Sequence, residues 1–114
     1  QRLADYWASS LYVFTPVVGD SQSDFQARMF APALGIAEDP ATGSAVAALA
    51  GYLAVREGRS TGTLNWEIEQ GREMGRPSRL YLAAQKQGGE IRAIRVGGVS
   101  VLVSEGTMVV PDVT

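Results

Sequence analysis

Several stretches of this chain alternate apolar and polar residues with a period of two. Leu64, Trp66 and Ile68 alternate with Asn65, Glu67 and Glu69, the pattern of a strand with one buried face. Phe25, Ala27 and Met29 alternate with Gln26 and Arg28, so Asp24 to Pro32 reads as a half-buried strand. Ser10 to Pro16 is rich in β-branched and aromatic residues and is stopped by proline, which predicts another strand. Before it, Leu3 to Ala8 reads as the end of a helix. Val17 to Ser23 reads as a turn, and Ala33 to Thr42, with Gly35 and Pro40, as a loop. Ser78 to Gln85 and Glu90 to Val96 predict two more strands, joined through Gln87, Gly88 and Gly89. Gly97 and Gly98 break the ladder before Val99 to Val103. Glu105 and Gly106 make the last turn before Thr107 to Val110.

One segment departs from the period of two. Ser44 to Arg56 (SAVAALAGYLAVR) is apolar nearly all round, which predicts a helix enclosed on most sides. Its alanines and glycine let neighbouring strands come close, and Gly58 and Gly62 end it. The elements together predict an α+β fold, with a mostly antiparallel sheet curled around one central buried helix. A length of 114 residues fits a single domain, residues 1–114, and 46% apolar content supplies one core.

Composition narrows the chemistry. The net charge is only −2, with 19% charged residues, so no field attracts a nucleic acid. No cysteine is present to form a disulfide, a thiolate nucleophile or a sulfur-ligated metal site. No histidine is present either, which removes the commonest metal ligand and the usual neutral-pH base. Any chemistry rests on carboxylates, hydroxyls, backbone amides or arginine. The longest apolar-rich stretch, Ala45 to Val55, is about half of what a bilayer requires. No membrane partner is expected, and a cytoplasmic protein is the default. The chain starts with Gln1, which suits a piece of a longer polypeptide.

The chemistry concentrates where the helix begins, in Glu38-Asp39-Pro40-Ala41-Thr42-Gly43-Ser44-Ala45. Thr42 stands at the N-cap, where its hydroxyl can accept from the first turn. Ala45 at N3 forms no capping box. The amides of Gly43, Ser44 and Ala45 have no intrahelical partners, and with the helix dipole they suit an anion such as a ligand carboxylate. Ser44 adds a hydroxyl, and Gly43 leaves the backbone open to close approach. Asp39, just upstream, is placed to face a ligand and trade protons with it. The same residues also suit an ordinary cap and turn. The glycine spacing, with no lysine after Gly43, excludes a P-loop.

Arg28-Met29-Phe30-Ala31-Pro32 and Gly35 to Ala45 resemble the signature of the phenazine-biosynthesis PhzF-like proteins. Glu69-Gln70-Gly71, Met74-Gly75-Arg76-Pro77-Ser78 and Val96-Gly97-Gly98 resemble the same family's second half. The resemblance implies one half of a diaminopimelate epimerase-like fold, in which two similar α+β halves, each a barrel-like sheet around a central helix, enclose an active site. It also implies isomerase or epimerase chemistry: cofactor-independent proton transfer on a small carboxylic acid. In that reading Asp39 is the second half's acidic residue. Ser44, with the amides of Gly43 and Ser44 and the adjoining Thr42, holds the substrate carboxylate. The family's main acid/base glutamate and its assisting histidine belong to a first half that this chain does not carry. A partner chain supplying that half, or a homodimer replacing it, is therefore expected.

The alternative is a non-catalytic, self-associating or partner-binding module that retains only the anion site. Arg76 reads as a substrate-neutralising residue or a turn arginine paired with a nearby carboxylate. Glu38 reads as a ligand-facing or surface charge. Glu67 and Glu69 read as a carboxylate pair or a solvated strand face. Trp7, Tyr12, Phe14, Phe30, Tyr52 and Trp66 are spaced like core residues.

Overall fold

The computed structural model describes residues 9–17 and 22–113. The helix end expected at Leu3 to Ala8 and most of the turn at Val17 to Ser23 lie outside these residues. Six strands and one α-helix follow in the order β1 (Leu11–Pro16), β2 (Phe25–Ala31), β3 (Ile36–Asp39), α1 (Gly43–Arg56), β4 (Gly62–Gln70), β5 (Ser78–Gln87) and β6 (Glu90–Gly98). The strands form one open sheet in the order β1-β2-β4-β5-β6, with β3 also paired to β2. The barrel-like sheet that the resemblance implied is thus corrected to an open one. Four of its pairings are antiparallel, and β2 runs parallel to β4 through Phe25–Ala27 against Ile68–Gln70.

The alternation is legible in the burial. Leu64 and Ile68 on β4 register with Ala84 and Leu80 on β5, and all four are buried on one face. The helix lays Val46, Leu49, Ala50 and Ala54 on that face. A Cβ added at Gly51 would stand 3.6 Å from the Ile94 side chain, so a small residue sets the helix close to β6. The helix is not enclosed on most sides, contrary to its composition: Tyr52 is 46% exposed and Val55 70%. A sheet open along its edges covers one face of a helix and leaves the other bare.

The helix ends where the sequence suggested. Lys86, the chain's single lysine, is buried and donates from Nζ to the carbonyls of Ala54 (2.8 Å) and Glu57 (3.0 Å). An ammonium there satisfies carbonyls that the helix leaves orphaned and complements its dipole. The β5–β6 hairpin turns through Gly88 (φ 59°) and Gly89 (φ 82°), both left-handed, as a two-residue turn requires.

Two expectations fail for a shared reason. The loop expected at Ala33 to Thr42 contains β3, because the edge of β2 offers it a ladder at Met29 and Ala31. The strands expected at Val99 to Val103 and Thr107 to Val110 do not form. Residues 99–113 have no regular structure, and Leu102 and Val109 are 85% and 90% exposed. A strand exists only where a neighbour completes its hydrogen bonds, whatever its propensity. Among the described residues, no helix is long and apolar enough to cross a membrane.

Candidate active site

The site follows from how β2 shares its partners. β1 pairs with β2 from Phe25 to Phe30 and occupies one edge. β3 and β4 therefore divide the other edge, with Asp39 opposite Met29 and Gln70 opposite Ala27. The C-terminal residues of β3 and β4 thus meet two positions apart along β2. The short link Pro40–Thr42 then carries the chain from Asp39 straight into α1.

Gln70 ties this junction together. It is fully buried, at 0% exposure, on the inward row that Leu64 and Ile68 occupy on β4. Its Nε2 donates to the Asp39 carbonyl (2.8 Å) and to Thr42 Oγ1 (3.1 Å), and its Oε1 accepts from the Tyr12 hydroxyl (3.0 Å). The Thr42 hydroxyl donates in turn to Asp39 Oδ2 through a short hydrogen bond. Burial pushes the Tyr12 phenol well above its usual range, so it stays a neutral donor.

Thr42 occupies the N-cap position as expected, and its carbonyl accepts from the Val46 amide (3.1 Å). Its hydroxyl does not cap the helix: the oxygen accepts from Gln70 Nε2 and the proton goes to Asp39. The N-cap side chain makes no bond to the first turn, and Gly43 and Ser44 are exposed. Among the described residues nothing lies within 4 Å of where a Gly43 Cβ would be, so they leave the backbone there open to approach. Ser44 borders a cleft of about 350 Å³ with Ser10, Tyr12, Met29, Ala45 and Ala48. The cleft is apolar along Met29, Ala45 and Ala48 and polar at Ser44 and Ser10. Asp39 does not line it; it stands one strand away, paired with Met29.

The other charges fall away from this junction. Glu38 is not a free ligand-facing charge: Arg28 grips it with two bonds, Nη2 to Oε1 at 2.8 Å and Nε to Oε2 at 3.1 Å. Arg28 also lies over the Phe30 ring, 5.0 Å from its centroid. The Arg28 hydrogen bond holds the Glu38 carboxyl below its usual value of 4.5. A depressed carboxylate pKa stabilises the fold above the unfolded value, and that stability is lost as pH falls through the folded one. The stability difference between wild type and Glu38→Gln is therefore expected to be complete above about pH 4.5 and to vanish on further acidification, read by urea titrations at several pH values.

Glu67 pairs with Arg79 at 2.9 Å across β4 and β5, so it forms no carboxylate pair with Glu69. Arg76 is exposed in the turn after β4, and among the described residues its side chain makes no ion pair, against the expected pairing with a carboxylate. Among the described residues no cluster of acidic side chains is spaced to hold a metal ion.

The structure thus joins Asp39 and Thr42 directly and sets Gly43 and Ser44 on the turn that follows. Two contributors were not singled out from the sequence. Gln70 continues the Leu64-Trp66-Ile68 alternation into the core, and a polar residue in that slot is the signal that would have found it. Tyr12 read as core, and its hydroxyl's partner, 58 residues away, is invisible to local pattern.

Comparison with known proteins agrees with the resemblance. The family of phenazine biosynthesis-like proteins, PhzC-PhzF, matches residues 1–106. An uncharacterized isomerase of Mesorhizobium japonicum is 42% identical over 107 residues, covering 94% of this chain and 35% of that protein. The trans-2,3-dihydro-3-hydroxyanthranilate isomerase of Pseudomonas aeruginosa is 44% identical over 82 residues, 72% of this chain and 29% of its own length. An uncharacterized isomerase of Deinococcus radiodurans is 37% identical over 103 residues, 85% of this chain and 31% of that protein. The chain spans about a third of the length of these curated relatives. It belongs to the phenazine biosynthesis-like (PhzC-PhzF) protein family.

Proposed function

We propose that this chain is the second half of an isomerase that moves a proton on a small carboxylic acid, without cofactor, in an active site shared with a first half. The observation that carries the reading is the junction itself: an uncapped helix start with Ser44 on an open cleft, joined through Thr42 to a restrained Asp39. Exposed first-turn amides and the helix dipole suit a substrate carboxylate. The apolar wall of Met29, Ala45 and Ala48 suits the carbon skeleton beside it. Asp39 does not line the cleft but is joined to the helix start through Thr42, and in this reading it is the carboxylate that helps bind the substrate and move its proton.

The relatives support this reading. They are named isomerases, and one of the names specifies an anthranilate-type ring acid. Their threefold greater length leaves room for a first half, built like this one in a diaminopimelate epimerase-like arrangement, to supply the second acid/base group. A second reading, a binding module without catalysis, draws on the exposed apolar segment 99–113, which suits association with a copy or partner.

The test is deuterium incorporation from D₂O into small carboxylic acids, trans-2,3-dihydro-3-hydroxyanthranilate among them, followed by mass spectrometry. The expected result is incorporation by a full-length protein carrying this segment and none by the 114-residue chain alone. Binding of the acids with no exchange in the full-length protein establishes the module instead. Light scattering on the isolated chain is expected to show a dimer or larger species.

A further inference from the structure

We propose that Gln70 is a positioning residue that locks the chain Tyr12, Gln70, Thr42, Asp39 in one arrangement, so that the Thr42 hydroxyl is aimed at the Asp39 carboxylate. The inference deepens the reading of Asp39 and the helix start given above and rests on it for its catalytic meaning.

The direction is set at the two ends of the amide. Tyr12 keeps its phenolic proton and donates it to Gln70 Oε1. The Asp39 carbonyl, an acceptor only, faces Nε2 at 2.8 Å. Turning the amide over would set two carbonyl oxygens against each other and strand the tyrosine proton. The remaining Nε2 hydrogen goes to Thr42 Oγ1. A hydroxyl has one proton and two lone pairs: Gln70 holds one lone pair and so fixes where the oxygen stands, and the proton goes to Asp39 Oδ2, since an ionised carboxylate only accepts. The consequence is an Asp39 carboxylate with one oxygen held by Thr42. A glutamine that merely joined two loops would need only the Asp39 carbonyl. The second bond, to Thr42, is the one that aims the hydroxyl.

Glutamate is the same shape with the opposite polarity. In Gln70→Glu, the ionised carboxylate faces the Asp39 carbonyl with no proton to give and competes for the Thr42 hydroxyl. When protonated, the same group donates as the amide did. The titratable groups in contact with Gln70 are Tyr12 on β1 and Asp39 on β3; its register partners Ala27 on β2 and Ser78 on β5 carry no charge. Burial and the neighbouring Asp39 hold the introduced carboxyl above the ordinary carboxylate range.

The experiment is NMR on the 114-residue chain. In the wild type, both Gln70 side-chain amide protons are expected to exchange at least tenfold more slowly than those of the exposed Gln85. In Gln70→Glu, the Thr42 amide and the Asp39 carboxyl carbon are expected to show one added titration step above pH 5, with the acid limb returning to the wild-type shifts. If Gln70→Glu does not fold, Thr42→Val replaces it. There, one of the two Gln70 amide protons is expected to lose its protection while the other keeps it. Rapid exchange of both protons in the wild type overturns the proposal. So does a folded Gln70→Glu chain without the added step, or a Thr42→Val chain with both protons still protected. These readouts need no substrate. If they hold while benzoate shifts none of the Gly43 to Ala45 amides and no acid exchanges deuterium in the full-length protein, the positioning stands and the catalytic reading falls.

Discussion

Gly71→Ala is expected to lower the unfolding free energy of the chain by about 3 kcal/mol, with an unchanged urea m-value. Gly71 has φ 83°, in the left-handed region. An added Cβ would lie 2.3 Å from the Arg76 carbonyl oxygen, 2.9 Å from the Pro40 oxygen and 3.0 Å from Pro40 Cα. All three are backbone atoms, which cannot swing aside as a side-chain tip can. The Arg76 oxygen belongs to the turn that closes on Gly71, whose carbonyl accepts from the amides of Met74 (3.2 Å) and Arg76 (3.0 Å). Pro40 belongs to the link between Asp39 and the helix. One methyl group thus pushes apart the two segments that carry the candidate site. Gly75→Ala is the control. Its φ of 70° is equally left-handed, but among the described residues nothing lies within 4 Å, so only backbone strain of about 1 kcal/mol is expected. Equal losses from the two substitutions would show that the contact with Pro40 is not what makes Gly71 necessary.

Asp39→Asn is expected to reduce turnover by about 10²- to 10⁴-fold in a full-length protein carrying this segment. Its effect on stability is expected to stay within about 1 kcal/mol. The substitution keeps the shape and leaves an amide oxygen to accept from the Thr42 hydroxyl. The Asp39 backbone carbonyl, which Gln70 holds, is untouched. What disappears is the charge and the capacity to take a proton. Steady-state kinetics on the deuterium-exchanging substrate, paired with thermal unfolding, separates the two effects. Full activity in Asp39→Asn would make the carboxylate a structural acceptor for Thr42 and move the chemistry elsewhere. Comparable losses in stability and activity would say that the site collapsed and was not disarmed.

The sequence by itself determined the elements that carry their own reason. Leu64 to Gln70 is a strand because alternate side chains meet one apolar face, and Gly88-Gly89 is a turn because both residues take positive φ without cost. The helix from Gly43 and the turn before it were legible for the same kind of local reason: a proline, a cap residue and an apolar run in that order. Tertiary structure decided everything that depends on who stands beside whom. β3 is a strand although its sequence reads as loop, and Val99 to Val103 is not a strand although its sequence reads as one. β3 is a strand because it makes a ladder with β2, and Val99 to Val103 makes none whatever its β-branched content. The apolar helix lies half bare because burial depends on what covers a face, and an open sheet covers only one. Asp39, Thr42, Gln70 and Tyr12 became a unit because β2 splits one edge between β3 and β4 and lends the other to β1, a pairing that no local spacing encodes.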